Sequence, residues 1–180
     1  MFTVGHSNRS LAEFIALLQQ HRIDLLVDVR SFPSSRRHPQ FNRSALEREL
    51  PLAGMRYLWL GRELGGMRDE AREDSPHTAL EEGGFRNYAD HMGSELFADG
   101  LERLLDESAS ARAACMCAEK DWHECHRRYL SDALVALRKM PVRHIRDKGE
   151  PTPHELHELA RVVDGSLIYD AGGQRQATLF

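Results

Sequence analysis

Short, nearly continuous apolar runs alternate along this chain with stretches in which apolar residues return every three to four positions. Residues 2–5 form the first run and read as a strand. Ser10, followed three residues later by Glu13, has the form of a capping box. Leu11, Phe14, Ile15, Leu17 and Leu18 then lie on one face of a helix. Residues 23–29 are almost uninterruptedly apolar, as in a strand covered on both faces. Strand, helix and strand within thirty residues predict a βαβ unit with parallel strands and a right-handed crossover. The Pro- and Ser-containing residues 31–41 predict a loop. A helix from about Ser44 follows, with Leu46 and Leu50 inward, and residues 55–60 make a third strand. Residues 67–84 are charged and aperiodic, a candidate mobile lid or partner surface whose commoner reading is a solvated surface loop.

Two further helices are predicted over residues 85–92 and 94–106, the second with a stripe of Phe97, Leu101, Leu104 and Leu105. Residues 113–118 read as a buried strand. A polar turn follows, then a helix carrying Leu130, Ala133, Leu134 and Leu137. Asp121 and Glu124 have capping-box spacing, which starts that helix near Asp121 and puts His123 and Cys125 in its first turn. Residues 142–145 are a strand candidate. Thr152-Pro153-His154-Glu155 has the signals of a helix start, and that helix is expected to run to Asp164-Gly165. Residues 166–169 form a last strand. The alternation predicts an α/β fold: an open, mostly parallel sheet with helices on both faces, a Rossmann-like three-layer arrangement. Residues 1–170 are expected to form a single domain and residues 171–180 a flexible tail.

Charge and cysteine content narrow the function classes. Against 24 Lys and Arg stand 28 Asp and Glu, a net charge of −4. No global basic field calls for nucleic acid, so such a contact needs a local patch. The three cysteines are odd in number and close together, which is no disulfide framework and suits a reducing cytoplasm. No apolar run approaches the ~20 residues that span a bilayer. The N-terminus has neither the charged nor the long apolar region of a signal peptide. The expected location is therefore cytoplasmic, with no membrane partner.

In open α/β sheets, ligands bind beyond the carboxyl ends of the strands. His6 and Ser7 follow the first strand. Arg30 and the loop with Arg36, Arg37 and His38 follow the second, and residues 117–128 follow the later one. If the strands are parallel, all of these groups share one rim. Cys115 reads as a buried small hydrophobe. Cys117, nearer the turn, is the candidate nucleophile or redox thiol, its pKa lowered by a helix N-terminus and Arg127. His126 or His6 is the candidate base, with Glu119 orienting one of them. Ser7, Asp28, Arg30, Arg36, Arg37, Cys125 and Arg127 are candidates for holding an anionic substrate, with the anion itself on the helix start. Asp28 beside Arg30 also reads as a structural ion pair. Arg36 and Arg37, between Phe32 and Phe41, suit phosphates while a ring stacks on a base. A Cys-to-Arg phosphatase loop is excluded, because His123 occupies the arginine position. Zinc has ligand types available in Cys117, His123, Cys125 and His126. It is disfavoured, because adjacent helical residues point about 100° apart and no paired-cysteine knuckle exists. No metal or other cofactor is assigned.

Several spaced blocks carry a resemblance. They are Val4-Gly5-His6-Ser7, Leu26-Val27-Asp28-Val29-Arg30-Ser31 with Pro33, Arg36 and Phe41, and Cys117-Ala118-Glu119 with Cys125-His126-Arg127. As a set they resemble the bacterial domain-of-unknown-function family numbered four hundred and eighty-eight. The resemblance implies an α/β domain with enzymatic activity, and marks His6, Ser7, Asp28, Arg30, Cys117, Glu119, Cys125, His126 and Arg127. The terminal Gln176-Ala177-Thr178-Leu179-Phe180 resembles the short peptide by which bacterial proteins dock on the replication sliding clamp. The leading expectation is an enzyme, a thiol-dependent hydrolase or transferase, acting on a phosphorylated or nucleotide-like ligand. The alternative is a nucleic-acid-associated accessory module that docks through this terminal peptide and has no chemistry of its own.

Overall fold

The computed structural model describes residues 1–69 and 71–173. The terminal peptide at 176–180 lies outside the described residues. In chain order the elements are β1 (Phe2–Gly5), α1 (Leu11–Gln20), β2 (Leu25–Asp28), α2 (Arg43–Leu52), β3 (Arg56–Trp59), α3 (Gly61–Leu64), α4 (Gly84–His91), α5 (Glu95–Ser108), β4 (Ala113–Cys117) and α6 (Arg127–Arg138). After these come β5 (Arg143–His144), β6 (Thr152–Pro153), β7 (Ala160–Val163) and β8 (Ser166–Tyr169). Two single-turn 3-10 segments, Pro39–Phe41 and Ala171–Gly173, complete the described chain.

Six strands form one sheet in the order β3-β2-β4-β1-β5-β6. Every pairing in it is parallel except β5 with β6, so the sheet is mixed but mostly parallel. β1 and β2 run parallel, as expected of a βαβ unit, but β4 lies between them and pairs with both. Alternation along the strands builds two cores. Leu25, Val27, Ala113 and Cys115 face α3–α6, whereas Leu26, Ala114 and Met116 face α1 and α2. A helix layer thus covers each face, giving the three-layer α/β fold. Leu18, Leu26, Leu46 and Leu50 are completely buried, each worth about 1.5–3 kcal/mol of transfer free energy.

The α1 start follows its sequence signal. Ser10 accepts from the Glu13 amide at 3.2 Å, and the Glu13 carboxylate accepts from the Ser10 amide at 2.8 Å. Two other expectations are corrected. First, α6 begins at Arg127, with His126 as its cap, and not near Asp121. Asp121 Oδ1 accepts from the His123 amide at 2.9 Å and its ring at 2.7 Å. This local turn competes with the helix, so His123 and Cys125 precede the helix. Second, no helix runs from Thr152 to Asp164. Thr152–Pro153 pairs with β5, and β7 and β8 form a hairpin of their own. Asp164 and Gly165, which read as a helix end, are its two-residue turn. Both have positive φ, 48° and 79°, as Asp-Gly hairpin turns require. Polar ties hold the segment against α6. Asp132 of α6 accepts from His154 Nε2 at 2.8 Å, the His157 amide at 3.0 Å and the Tyr169 hydroxyl at 2.9 Å. His154 continues this buried chain to His144 and Thr3.

Candidate functional site

Because β4 pairs with both β1 and β2, the carboxyl ends of these three strands meet. The His6 amide donates to the Cys117 carbonyl at 2.9 Å, and the Ser7 amide to that of Ala118 at 2.9 Å. Gly5 makes this crossing possible: a Cβ there would lie 1.9 Å from the Glu119 carbonyl oxygen. Arg30 Nη1 donates to His6 Nε2 at 3.2 Å. His6 Nδ1–H donates to the Ser7 carbonyl at 2.8 Å. Both ring nitrogens are therefore occupied, and burial pushes the His6 pKa down to about 4. His6 is a neutral joint between strands and has no free nitrogen with which to act as a base.

Asp28 and Arg30 form a buried, multiply bonded pair. Asp28 accepts from Arg30 Nε at 2.9 Å, Arg30 Nη2 at 2.6 Å and the Tyr57 hydroxyl at 2.8 Å. Arg30 also donates to the Phe41 carbonyl at 2.7 Å. Burial works to lower the Arg30 pKa, but the bonds and charge of Asp28 outweigh it and hold it up. These bonds tie Arg30 to β2 and to the loop beyond it.

The reactive groups gather elsewhere on the rim. Cys117 Sγ lies 3.8 Å and Cys125 Sγ 3.6 Å from His126 Nδ1. All three residues are buried, and the three atoms lie within 4.8 Å of one another. His126 Nε2–H donates to the Val29 carbonyl at 3.0 Å, which aims Nδ1 at the sulfurs. Arg127 donates to Cys125 Sγ through Nε at 3.3 Å and through its amide at 3.5 Å. It also donates to the Glu119 carbonyl. The first amide of α6 thus serves the chain's own sulfur rather than a bound anion.

These contacts set the protonation pattern. Burial opposes charge on Cys125. The hydrogen bond from Cys117, His126 and the Arg127 guanidinium outweigh it and hold the Cys125 pKa well below the ordinary thiol range. Cys117, bonded to Cys125 and buried, is pushed well up. The thiol whose pKa is lowered is therefore that of Cys125, whereas the sequence pointed to Cys117. Cys115, fully buried near Met1 Sδ, is pushed up to about 12 by burial.

The family described as "Domain of unknown function DUF488" matches residues 10–134. The chain belongs to DUF488. No curated protein and no solved structure matches it. The DUF488 span holds Asp28, Arg30, Cys117, Glu119, Cys125, His126 and Arg127, and leaves out His6, Ser7 and everything beyond α6.

In this DUF488 chain, Cys117, Cys125 and His126 line a cavity of about 310 Å³ together with Arg30, Ser31, Phe32, Gly66, Met67 and Phe85. Phe32, Met67 and Phe85 are 69%, 65% and 42% exposed. The exposed Glu119 and Glu124 also border it. Gly66 packs directly on the imidazole: a Cβ there would lie 2.4 Å from His126 Nδ1. Arg36 and Arg37 are exposed on the loop that carries Phe32, and neither lines this cavity. Phe41, their other aromatic neighbour, is buried and stacks on His6 at 4.2 Å. Ser7 faces a different opening, with Arg9, Glu13, Lys120 and Asp147. Sequence reasoning missed Gly66, Met67 and Phe85. The one signal for Met67 and Phe85 is a large apolar side chain at either end of a charged stretch; Gly66 carries none.

Proposed function

We propose that this chain is an enzyme acting on a phosphorylated or nucleotide-like ligand, with Cys117, Cys125 and His126 as its reaction centre. One observation carries the reading. Six large apolar side chains are exposed among the described residues, and three of them, Phe32, Met67 and Phe85, ring the cavity above those atoms. Rings left open to water around a buried polar centre mark a binding place. A flat group held against Phe32 and Phe85 gains about 1–3 kcal/mol per stacked ring. Its phosphate then points outward, where Arg36 and Arg37 are the exposed cations of the Phe32 loop.

The reaction class is hydrolysis or group transfer at an electrophilic atom seated over Cys125. Cys125, whose pKa is held down by the hydrogen bond from Cys117 and by His126 and Arg127, is in contact with both His126 and Arg127 there. Three free thiols support a reducing location, the cytoplasm of a bacterial cell. The test is calorimetric titration of the full chain with the common nucleoside monophosphates. At least one should bind, and the Phe32→Ala/Phe85→Ala double variant should bind it at least tenfold more weakly with an unchanged melting temperature. Equal affinity in the variant, or no binding across the panel, would refute the reading.

A further inference from the structure

We propose that Cys117 Sγ, Cys125 Sγ and His126 Nδ1 hold one zinc ion, with its fourth coordination position open to the Phe32–Phe85 cavity. The inference deepens the preceding reading, on which it rests, by naming the cofactor of that centre. The distances carry it. Zinc binds sulfur at about 2.3 Å and imidazole nitrogen at about 2.0–2.1 Å, and tetrahedral angles then place nitrogen and sulfur about 3.6 Å apart. Here Nδ1 lies 3.6 Å and 3.8 Å from the two sulfurs.

The surroundings fit the same occupant. A metal-bound imidazole donates its other N–H to a fixed acceptor, and His126 Nε2–H is bonded to the Val29 carbonyl at 3.0 Å. Metal thiolates accept outer hydrogen bonds, and Arg127 supplies two to Cys125. Thiolate and imidazole together select a soft or borderline ion such as zinc over magnesium or calcium. The spacing objection lapses, because Cys125 and His126 lie in the turn and cap ahead of α6, off the regular helix that would splay their side chains. The cluster has three ligands among the described residues. Structural zinc is closed by four protein ligands, whereas three with an open position is the catalytic arrangement.

The test uses the full chain purified without chelator. Elemental analysis should find one zinc per chain, and less than a tenth of that in Cys117→Ser or Cys125→Ser. Cobalt titration of the metal-stripped wild type does not depend on how well a variant folds. It should saturate at one ion, with tetrahedral visible bands and near-ultraviolet sulfur-to-cobalt absorption. Azide should shift those bands by entering the open position. Sub-stoichiometric zinc together with the spectrum of hydrated cobalt would overturn the site, as would a Cys117–Cys125 disulfide in the chain freshly purified in the presence of reductant. An azide-insensitive spectrum would overturn the open position. Nucleotide binding on the same sample separates the two readings: zinc without nucleotide binding sinks only the proposed function, and nucleotide binding without zinc sinks only the metal.

Discussion

Gly66→Ala is a one-methyl perturbation whose consequence can be worked from distances. The added Cβ would stand 2.4 Å from His126 Nδ1, 2.5 Å from its Cγ and 2.9 Å from its Cβ. Ordinary contact needs about 3.4 Å or more, so ring or loop must retreat by about 1 Å. The ring is held from behind by the Val29 carbonyl at 3.0 Å and flanked by Tyr88, whose ring centre is 5.2 Å away. The loop is held by the Met67 amide donating to Ser31 Oγ at 3.0 Å. Either retreat loses a hydrogen bond worth about 1 kcal/mol and adds packing strain, so about 1–3 kcal/mol of stability should be lost. If the ring retreats, Nδ1 leaves the sulfurs and zinc should bind at least tenfold more weakly. Urea unfolding gives the first quantity and chelator competition the second. Gly93→Ala is the control, because its nearest neighbour would be the Asp90 carbonyl oxygen at an ordinary 3.5 Å. It should cost under about 0.5 kcal/mol. Wild-type stability together with wild-type zinc affinity in Gly66→Ala would refute the account of this contact.

Asp28→Asn removes the charge that Arg30 is buried against. Leaving that guanidinium uncompensated should cost about 3–5 kcal/mol in urea unfolding, and a loss under about 1 kcal/mol would contradict the structural role given to the pair. Acid should destabilise the fold through His144. Its pKa is pushed from 6.5 down to about 3 by burial first, then by His154, Arg127 and His123, with Asp121 opposing. His144 is neutral in the fold, so below pH 6.5 the unfolded chain binds the proton more readily and stability falls with pH. At pH 5 this amounts to about 2 kcal/mol. An NMR titration showing the His144 ring protonating near pH 6.5 would contradict it.

Much of the fold can be read from local chemistry, because the deciding residues are neighbours in sequence. Ser10 and Glu13 act within one turn, and the 23–29 run needs only two apolar faces. The segments misread are those where a side chain overrides a correct local signal. Asp121 uses its carboxylate on His123 instead of capping a helix, and Asp132, far from Thr152 in sequence, ties down His154 and the His157 amide in place of a helix. At the site, the convergence of His6, Arg30 and Cys117 follows from parallel strands. Which thiol has the lowered pKa does not, because that depends on Cys117, His126 and Arg127 all meeting Cys125. The cavity wall is equally invisible: Phe32, Met67 and Phe85 are lone apolar residues in or beside loops, with no periodicity to join them.

The central claim is that ligands meet the buried thiols and imidazole through this apolar mouth. The most direct measurement is a heteronuclear NMR titration of the isotope-labelled full chain with the nucleoside monophosphate that binds it best. The account requires shifts concentrated at Phe32, Gly66, Met67, Phe85, Cys125 and His126. Saturation that leaves those residues unmoved and shifts the charged opening at Arg9, Lys120 and Asp147 instead would contradict it.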